Sequence, residues 1–429
     1  MALNSKGQAP FLTYLTVFRS RLGAANIVLP LASFAFQPAA TLTRHLKQQL
    51  SAMVEVETGN PLNAFVFEYL REKRLVGSGD GDRKKGRYAG FAIHKDETLH
   101  VVDNAGTPLK SVKIFQTDIW LASSEVASTN GVPTADNGDE LLELCFQLGL
   151  LLRTKSTWTA AGQLTVGLRS FIPSAPSSPM ALGLEAFALL RQIIDKDGLL
   201  LREVLRELCS NMGSITRDAV ALHLPAMAGR ALSYARQMQL PSSELAEGKK
   251  FVALLEQTAR KRAQASRAPG VLEHRTTPRL EWLVDLGAVT KQGLPRNAFE
   301  YHVSQDAQTL LGLLDANVGT HFWADDVALS YWRTAQYWAR LRGRLPICNL
   351  RRALRKGYAL MKRSVGPCAI REVCFAAGVL LPHSQSSIND LSQELVNWAS
   401  SDSRIALSGG RFSRGPELVH ITNDVLNED

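Results

Sequence analysis

The C-terminal stretch from Pro367 to Ile421 constrains the fold more than any other part of the chain. Ile370, Val373, Cys374 and Ala377 recur at helical spacing, and Gly378 follows where a helix would stop. After a turn containing Pro382, Ser386 and Ser387 offer an N-cap, and Asp390 stands three residues beyond Ser387, the spacing of a capping box. Ile388, Leu391, Leu395 and Trp398 then repeat at intervals of three, four and three. Arg404 to Leu407, Ser408 to Gly415 and Leu418 to Ile421 read as strand, glycine-rich tip and strand. Two short helices and a hairpin, each with one apolar side, have to bury those sides against one another, which leaves few arrangements open.

A chain of 429 residues exceeds one ordinary domain, so about two to four folded units are expected. With 45% hydrophobic and 21% charged residues it holds enough apolar material for real cores. Three breaks divide it: the small polar run Ser123 to Asp139, the proline-rich Pro173 to Pro179, and the Arg/Ala/Gly stretch from Arg260 to Arg275, whose first half can continue a helix. The expected units are a mixed α/β N-terminal domain (1–122), a partial unit (139–172), a helical region (182–320) and a basic C-terminal region (326–429).

The N-terminal region mixes helix-like Thr43 to Val54 with strand-like Leu99 to Asp103 and Val112 to Phe115. The glycine-rich basic loop Gly77 to Arg87 lacks the GxxxxGK[ST] pattern of a phosphate cradle. Leu22 to Phe36 is uncharged, yet it starts far from Met1, carries Asn26 and Pro30, and is short for a membrane span; it is expected to be buried. The five cysteines are odd in number and never spaced CxxC, which points to a reducing, cytoplasmic setting.

One local order recurs. At Pro278 to Leu314 a helix with Leu280, Leu283, Val284 and Leu286 ends at Gly287. Ala288-Val289, a polar loop with Gly293 and Pro295, the strand-like Phe299 to Val303, and Ser304 as N-cap of a new helix follow. The helix from Asp139 to Leu148 repeats this in shorter form, with Gly149 as its stop and Trp158 to Gly162 in the place of His302 to Ala307. Between them, Leu200 to Cys209, Gly213 to Val220 and Ala231 to Met238 read as helical segments, with Pro225 as an interruption.

Charge is concentrated. The chain carries +9, but Val327 to Arg371 alone holds 11 Lys or Arg residues and no acid, so the other 384 residues sum to 9 − 11 = −2. The members are Arg333, Arg340, Arg342, Arg344, Arg351, Arg352, Arg355, Lys356, Lys362, Arg363 and Arg371. Arg351, Arg352, Arg355 and Lys356 fall on one side of a helix, a face that phosphates attract. Trp332, Tyr337 and Trp338, interleaved with the cations, are expected as core and amphipathic anchors rather than base-stacking platforms. The expected DNA-contacting residues are Arg351, Arg352, Arg355, Lys356, Lys362, Arg363 and Ser387, with Arg411 and Arg414 at the hairpin tip. Asp390 and Glu394 on the second helix argue against its deep insertion into a major groove.

No HExxH, GxSxG, Walker-type, kinase or EF-hand pattern occurs, so no catalytic residue, metal or cofactor is expected. His321 with Asp325 and Asp326 reads as a helix N-terminus with acids at the positive dipole end. A hydrolase resting on His94 or His321 is the remaining catalytic alternative.

With these residues in view, the C-terminal part resembles winged helix-turn-helix domains. Ala369 to Val373 and Ser408 to Gly415 look most like segments of bacterial accessory proteins encoded beside restriction-type or phage-defence genes, including methylation-associated defence. The resemblance implies a mainly helical α+β chain of tandem winged helices, bacterial and non-enzymatic. Its implied partners are double-stranded DNA and other proteins of the same system, with no membrane. The alternative is an adaptor that docks a nuclease, ATPase or methyltransferase.

Overall fold

The computed structural model describes residues 12, 22–32, 90–93, 98–102, 108–113, 142–152, 157–171, 182–211, 214–261, 270–294, 298–362, 367–409 and 416–426. The elements in chain order begin with α1 (Ala25–Leu31), the strands β1 (Gly90–Ile93), β2 (Thr98–Val102) and β3 (Pro108–Lys113), helix α2 (142–147), β4 (Leu151–Leu152), β5 (Thr157–Trp158) and α3 (Ala160–Phe171). Next come α4 (Glu185–Ser210), β6 (Ser214–Thr216), α5 (Arg217–Gln237), α6 (Ser242–Lys261), α7 (Gly270–Asp285), β7 (Val289–Leu294), β8 (Ala298–Val303) and α8 (Gln305–Asn317). The chain continues through α9 (Trp323–Thr334), α10 (Ala339–Arg342), α11 (Leu350–Met361), β9 (Cys368–Ala369), α12 (Ile370–Val379), α13 (Ile388–Ser401), β10 (Ile405–Gly409), β11 (Pro416–Ile421) and α14 (Asn423–Leu426). It is mainly helical, with small antiparallel sheets.

Two sheets share one plan. In β6–β8–β7 and in β9–β11–β10, a short strand leading into a helix pairs antiparallel with the last strand of a hairpin, which is therefore central. The elements around each sheet also run in one order. α4, β6, α5, α7, β7 and β8 correspond to α11, β9, α12, α13, β10 and β11, with α6 inserted in the first set.

The junctions into the hairpins repeat at atomic detail. Gly149 and Gly287 both have positive φ, 69° and 75°. The amide after each bonds back five residues, Leu150 to the Cys145 carbonyl at 2.8 Å and Ala288 to that of Leu283 at 2.9 Å. This is the closure that a left-handed residue at a helix end allows. At the far end of the hairpins, Thr159 and Ser304 donate their amides to Leu150 and Ala288 at 3.0 and 3.2 Å. Their hydroxyls add bonds of 2.6 Å each, Thr159 to the Gly149 carbonyl and Ser304 to that of Ala288. Thr422 donates its amide to Arg404 in the same relation, at 3.2 Å.

α4 is the central post: its residues from Glu185 to Ile194 and from Asp197 to Leu205 are buried, and it packs against α3, α5, α8 and α9. Burying 20 of the 26 residues of one helix brings charged side chains inside, and they are paired. Asp197 and Arg279, both fully buried, bridge α4 and α7 at 2.8 Å. Leu12 completes the pair from 185 residues away, donating its amide to Asp197 Oδ1 and accepting from Arg279 Nη2, both at 2.8 Å. Arg191 Nε lies 2.8 Å from Asp325 Oδ1 in ion-pair contact, off the line of a hydrogen bond, and its Nη2 reaches Glu372 Oε1 at 3.1 Å. Arg371 Nη2 bonds Asp325 Oδ2 at 2.5 Å, so Asp325 ties α4, α9 and α12 together.

Several sequence expectations change here. Pro225 does not interrupt a helix but lies inside α5, and Pro278 lies inside α7, which starts eight residues earlier than expected. A proline inside a helix costs about 3 kcal/mol, and here packing outweighs it: Val220, Leu224, Met227, Ala228 and Ala231 of α5 are buried, as are Leu272, Leu280 and Leu283 of α7. Ser214 to Thr216 form strand β6 rather than the start of a helix, because their partners are on β8, about 85 residues on. Gly378 is not a stop but lies within α12; a Cβ there would come 2.8 Å from Leu329 Cδ1, so the glycine serves the close approach of α12 to α9. Val289 opens a longer strand that runs to Leu294.

Leu22, Ala25, Val28, Leu29 and Ala32 are buried, as expected of the uncharged run. β2 lies where a strand is read in the N-terminal region and β3 overlaps the second such reading only at Val112 and Lys113, while Thr43 to Val54 and Gly77 to Arg87 lie outside the described residues. Among the described residues no helix is long and apolar enough to cross a membrane. All five cysteines are free thiols.

Candidate nucleic-acid interface

α11 is built by one stripe and one cap. Asn349 accepts the Arg352 amide at 2.8 Å, closing the first turn. Ala353, Leu354, Gly357, Tyr358 and Met361 are buried against α12 and α3. Gly357 is required where the helices touch, since a Cβ there would come 2.6 Å from the Val373 carbonyl oxygen. The opposite face carries the expected cations.

That basic face is largely engaged within the protein. Arg351 pairs with Glu394 of α13 at 2.9 Å and lies over the Trp398 ring, 5.6 Å from its centroid. Arg355 donates to the Val425 carbonyl at 3.3 Å, Lys356 lies 5.7 Å from the Phe171 ring centroid, and Lys362 bonds Asn423. Four expected phosphate contacts thus anchor α11 to α13, α14 and α3. Arg352 differs: it is exposed, and its guanidinium makes no hydrogen bond or ion pair. Arg363, Arg411 and Arg414 lie outside the described residues.

Ser387 is an N-cap rather than a free donor. Its hydroxyl accepts the Asp390 amide at 3.2 Å, and its own amide donates to Asp390 Oδ2 at 2.8 Å, so the expected capping box is formed. Two bonds donated to Asp390 Oδ2, from the Ser387 amide and then from its hydroxyl, each at 2.8 Å, hold the Asp390 carboxyl below its usual range. α13 buries Ile388, Leu391, Leu395 and Trp398 as its spacing requires. Its outward residues Asn389, Asp390, Gln393, Asn397 and Ser400 include no cation.

The exposed, unengaged cations lie just upstream, where the sequence reading names them as members of the basic segment without singling them out. Arg340 and Arg344 are exposed and make no side-chain hydrogen bond or ion pair among the described residues. Between Arg344 and Arg352, Ile347 is 90% exposed, the most exposed large hydrophobic residue described. Arg342 by contrast turns inward, donating to the Trp332 and Ala335 carbonyls at 2.7 and 2.6 Å; burial pushes its pKa down, against the Asp306 charge. The stretch is fixed by Asp306, whose two carboxylate oxygens accept the Gln336 and Tyr337 amides, each at 2.8 Å. A sequence signal for this surface exists in hindsight: Ile347 follows Pro346 and fits no helical stripe, so nothing within the chain asks for it to be apolar.

The aromatic residues of the basic segment divide as expected for most. Trp332 is fully buried and donates Nε1–H to the Val379 carbonyl at 2.8 Å; Trp338, nearly so, donates to the Leu286 carbonyl at 3.0 Å. Tyr337 is 59% exposed, packed against Gly287. Asp325 and Asp326 do open α9, whereas the His321 ring stands edge-on to Phe322, 4.6 Å between centroids. His94 lies outside the described residues. Among the described residues no group of three or more His, Cys, Asp or Glu could hold a metal ion. Burial pushes the Cys374 thiol up to about 12, with Glu372 and Asp325 adding to it, so it is held as a neutral thiol.

Compared with protein-family models, curated proteins and solved structures, the chain matches none.

Proposed function

We propose that the chain is a non-enzymatic, tandem winged helix-turn-helix protein that contacts double-stranded DNA. The repeated strand order β6–β8–β7 and β9–β11–β10, each with three helices in the same sequence, supports the winged-helix reading. The observation that carries the DNA reading is the set Arg340, Arg344 and Arg352, exposed and unengaged within a 45-residue segment that has no acid. Phosphate is the acceptor such cations meet most readily. Ile347 between them is the kind of apolar side chain that wedges against a groove wall or a base step. The contact surface is then the α10–α11 connection with Arg352, and the rest of the basic face of α11 is the frame that holds it. Service in a bacterial defence or DNA-processing system follows from the sequence resemblance.

Fluorescence anisotropy with a labelled duplex, read across a salt series, tests this. Binding should weaken with salt, and Arg340→Ala, Arg344→Ala and Arg352→Ala together should flatten the slope of log affinity by roughly 2.7, about 0.9 for each phosphate contact. Absence of binding at low salt would sink the proposal. A second reading, a protein-docking adaptor, is favoured by the cation-free outward face of α13, which suits a protein surface better than a phosphate backbone. Retention of a partner nuclease, ATPase or methyltransferase by a chain that binds no duplex would select it.

A further inference from the structure

A cavity of about 650 Å³ lies between the C-terminal turn of α8, one face of α9 and the turn that joins α12 to α13. That volume is in the range of small-molecule sites. Asp326, Ser330 and Arg333 line it from α9, at positions 0, 4 and 7 of one helical face, and His383, Gln385 and Ser387 line it from the turn.

The two charged ends of the α9 face are not spent on each other or on neighbours. No ion pair closes between Asp326 and Arg333, although each feels the other's charge. Arg333 Nε and Nη2 are buried and meet no acceptor among the described residues. Those two atoms form one edge of the guanidinium, the edge that takes a carboxylate or phosphate through two parallel bonds. Asp326, which lines the cavity, accepts at Oδ1 only a long bond from the Ile388 amide, 3.5 Å. The neighbouring acids are committed elsewhere, Asp325 to Arg191 and Arg371 and Asp390 to Ser387. Burial lowers the pKa of Arg333 and raises that of Asp326, so each end is short of compensating charge.

We propose that this cavity binds a small zwitterion, its carboxylate or phosphate on Arg333 Nε and Nη2 and its ammonium toward Asp326. The Ser330 hydroxyl and the Gln385 amide provide hydrogen bonds between the ends. Only the α9 face and the α12–α13 turn are needed, so the site stands whether or not the protein binds DNA.

Calorimetric titration of the full chain with a graded series of ω-amino carboxylates, from glycine to 6-aminohexanoate, and with phosphoethanolamine tests the assignment. Acetate, inorganic phosphate and ethylammonium are the one-ended controls. Saturable binding is expected for at least one two-ended probe, with every control weaker by at least about tenfold. Arg333→Gln and Asp326→Asn should each weaken the best probe by about tenfold or more, and Ser330→Leu, which fills the cavity without removing a charge, should abolish binding. The proposal fails if no two-ended probe saturates, if acetate or phosphate binds as tightly as the best of them, or if Ser330→Leu or either charge variant binds like the parent. Should a charge variant not fold, Ser330→Leu decides.

Discussion

The internal and C-terminal units use one order of elements in opposite ways. In the internal unit the helix before the hairpin, α7, is enclosed: Thr276, Arg279, Glu281 and Trp282 are all buried, and Arg279 is claimed by Asp197 and the Leu12 carbonyl. Its hairpin is also tied down, since Glu281 meets the Lys291 ammonium at 3.0 Å and accepts from the Tyr301 hydroxyl at 2.8 Å. In the C-terminal unit the corresponding helix, α13, buries one stripe and leaves its polar side outward. The same arrangement is a scaffold where it is wrapped by α4 and the N-terminal segment, and a free surface where it is not. The surface that each unit presents is therefore decided by what covers the third helix rather than by the arrangement itself.

The largest expected effect breaks the internal unit. Asp197→Ala leaves Arg279 buried without its counter-charge, which should cost about 3–5 kcal/mol in urea unfolding. An equally buried apolar pair at both positions should recover most of that loss, and failure to recover it would show that the Leu12 contacts matter more than the ion pair. Next comes the C-terminal unit: Gly357→Ala pushes a methyl group onto the Val373 carbonyl and should cost about 1–3 kcal/mol. Hydrogen exchange should show that loss in α11 and α12 and not in α7, which is the sharper form of the comparison.

A smaller effect separates the third helices. Ser387→Ala removes the cap of α13 and should cost about 1 kcal/mol at neutral pH. Because Ser387 holds the Asp390 carboxyl below its ordinary 3.8, that stability is present above 3.8 and lost as pH falls through the depressed value. The cost of the substitution should therefore shrink in acid; a cost that stays constant to pH 2 would refute the charge-assisted cap. Smallest is a contrast within α11. Arg352→Ala should lower the salt slope of duplex binding by about 0.9, while Arg351→Ala, whose guanidinium is already paired with Glu394, should change it little. Equal slopes for the two would return the whole basic face of α11 to the interface.

The C-terminal unit was legible because its elements are local: the capping box, the stripe on α13 and the hairpin each lie within a few residues of the signals that specify them. β6 was not, since Ser214 to Thr216 become a strand only through Glu300 to His302. Pro225 and Pro278 misled for a related reason, their local cost being overridden by burial that no window of sequence displays. In the interface, the positions of the cations on a helix face were readable but their partners were not. Glu394, Val425, Phe171 and Asn423 come from three other elements, and they decide that Arg351, Arg355, Lys356 and Lys362 hold the fold while Arg352 stays available.

The Leu12 clamp also sets an order of events during synthesis. Leu12 is made well before its partners: its amide partner, Asp197, comes 185 residues later and its carbonyl partner, Arg279, 267 residues later. At roughly 5–20 residues per second of translation, the N-terminal segment waits on the order of 13–50 seconds with its docking groove unfinished. The Leu12 contacts can therefore close only after α7 has emerged from the ribosome, which makes them a late step of folding.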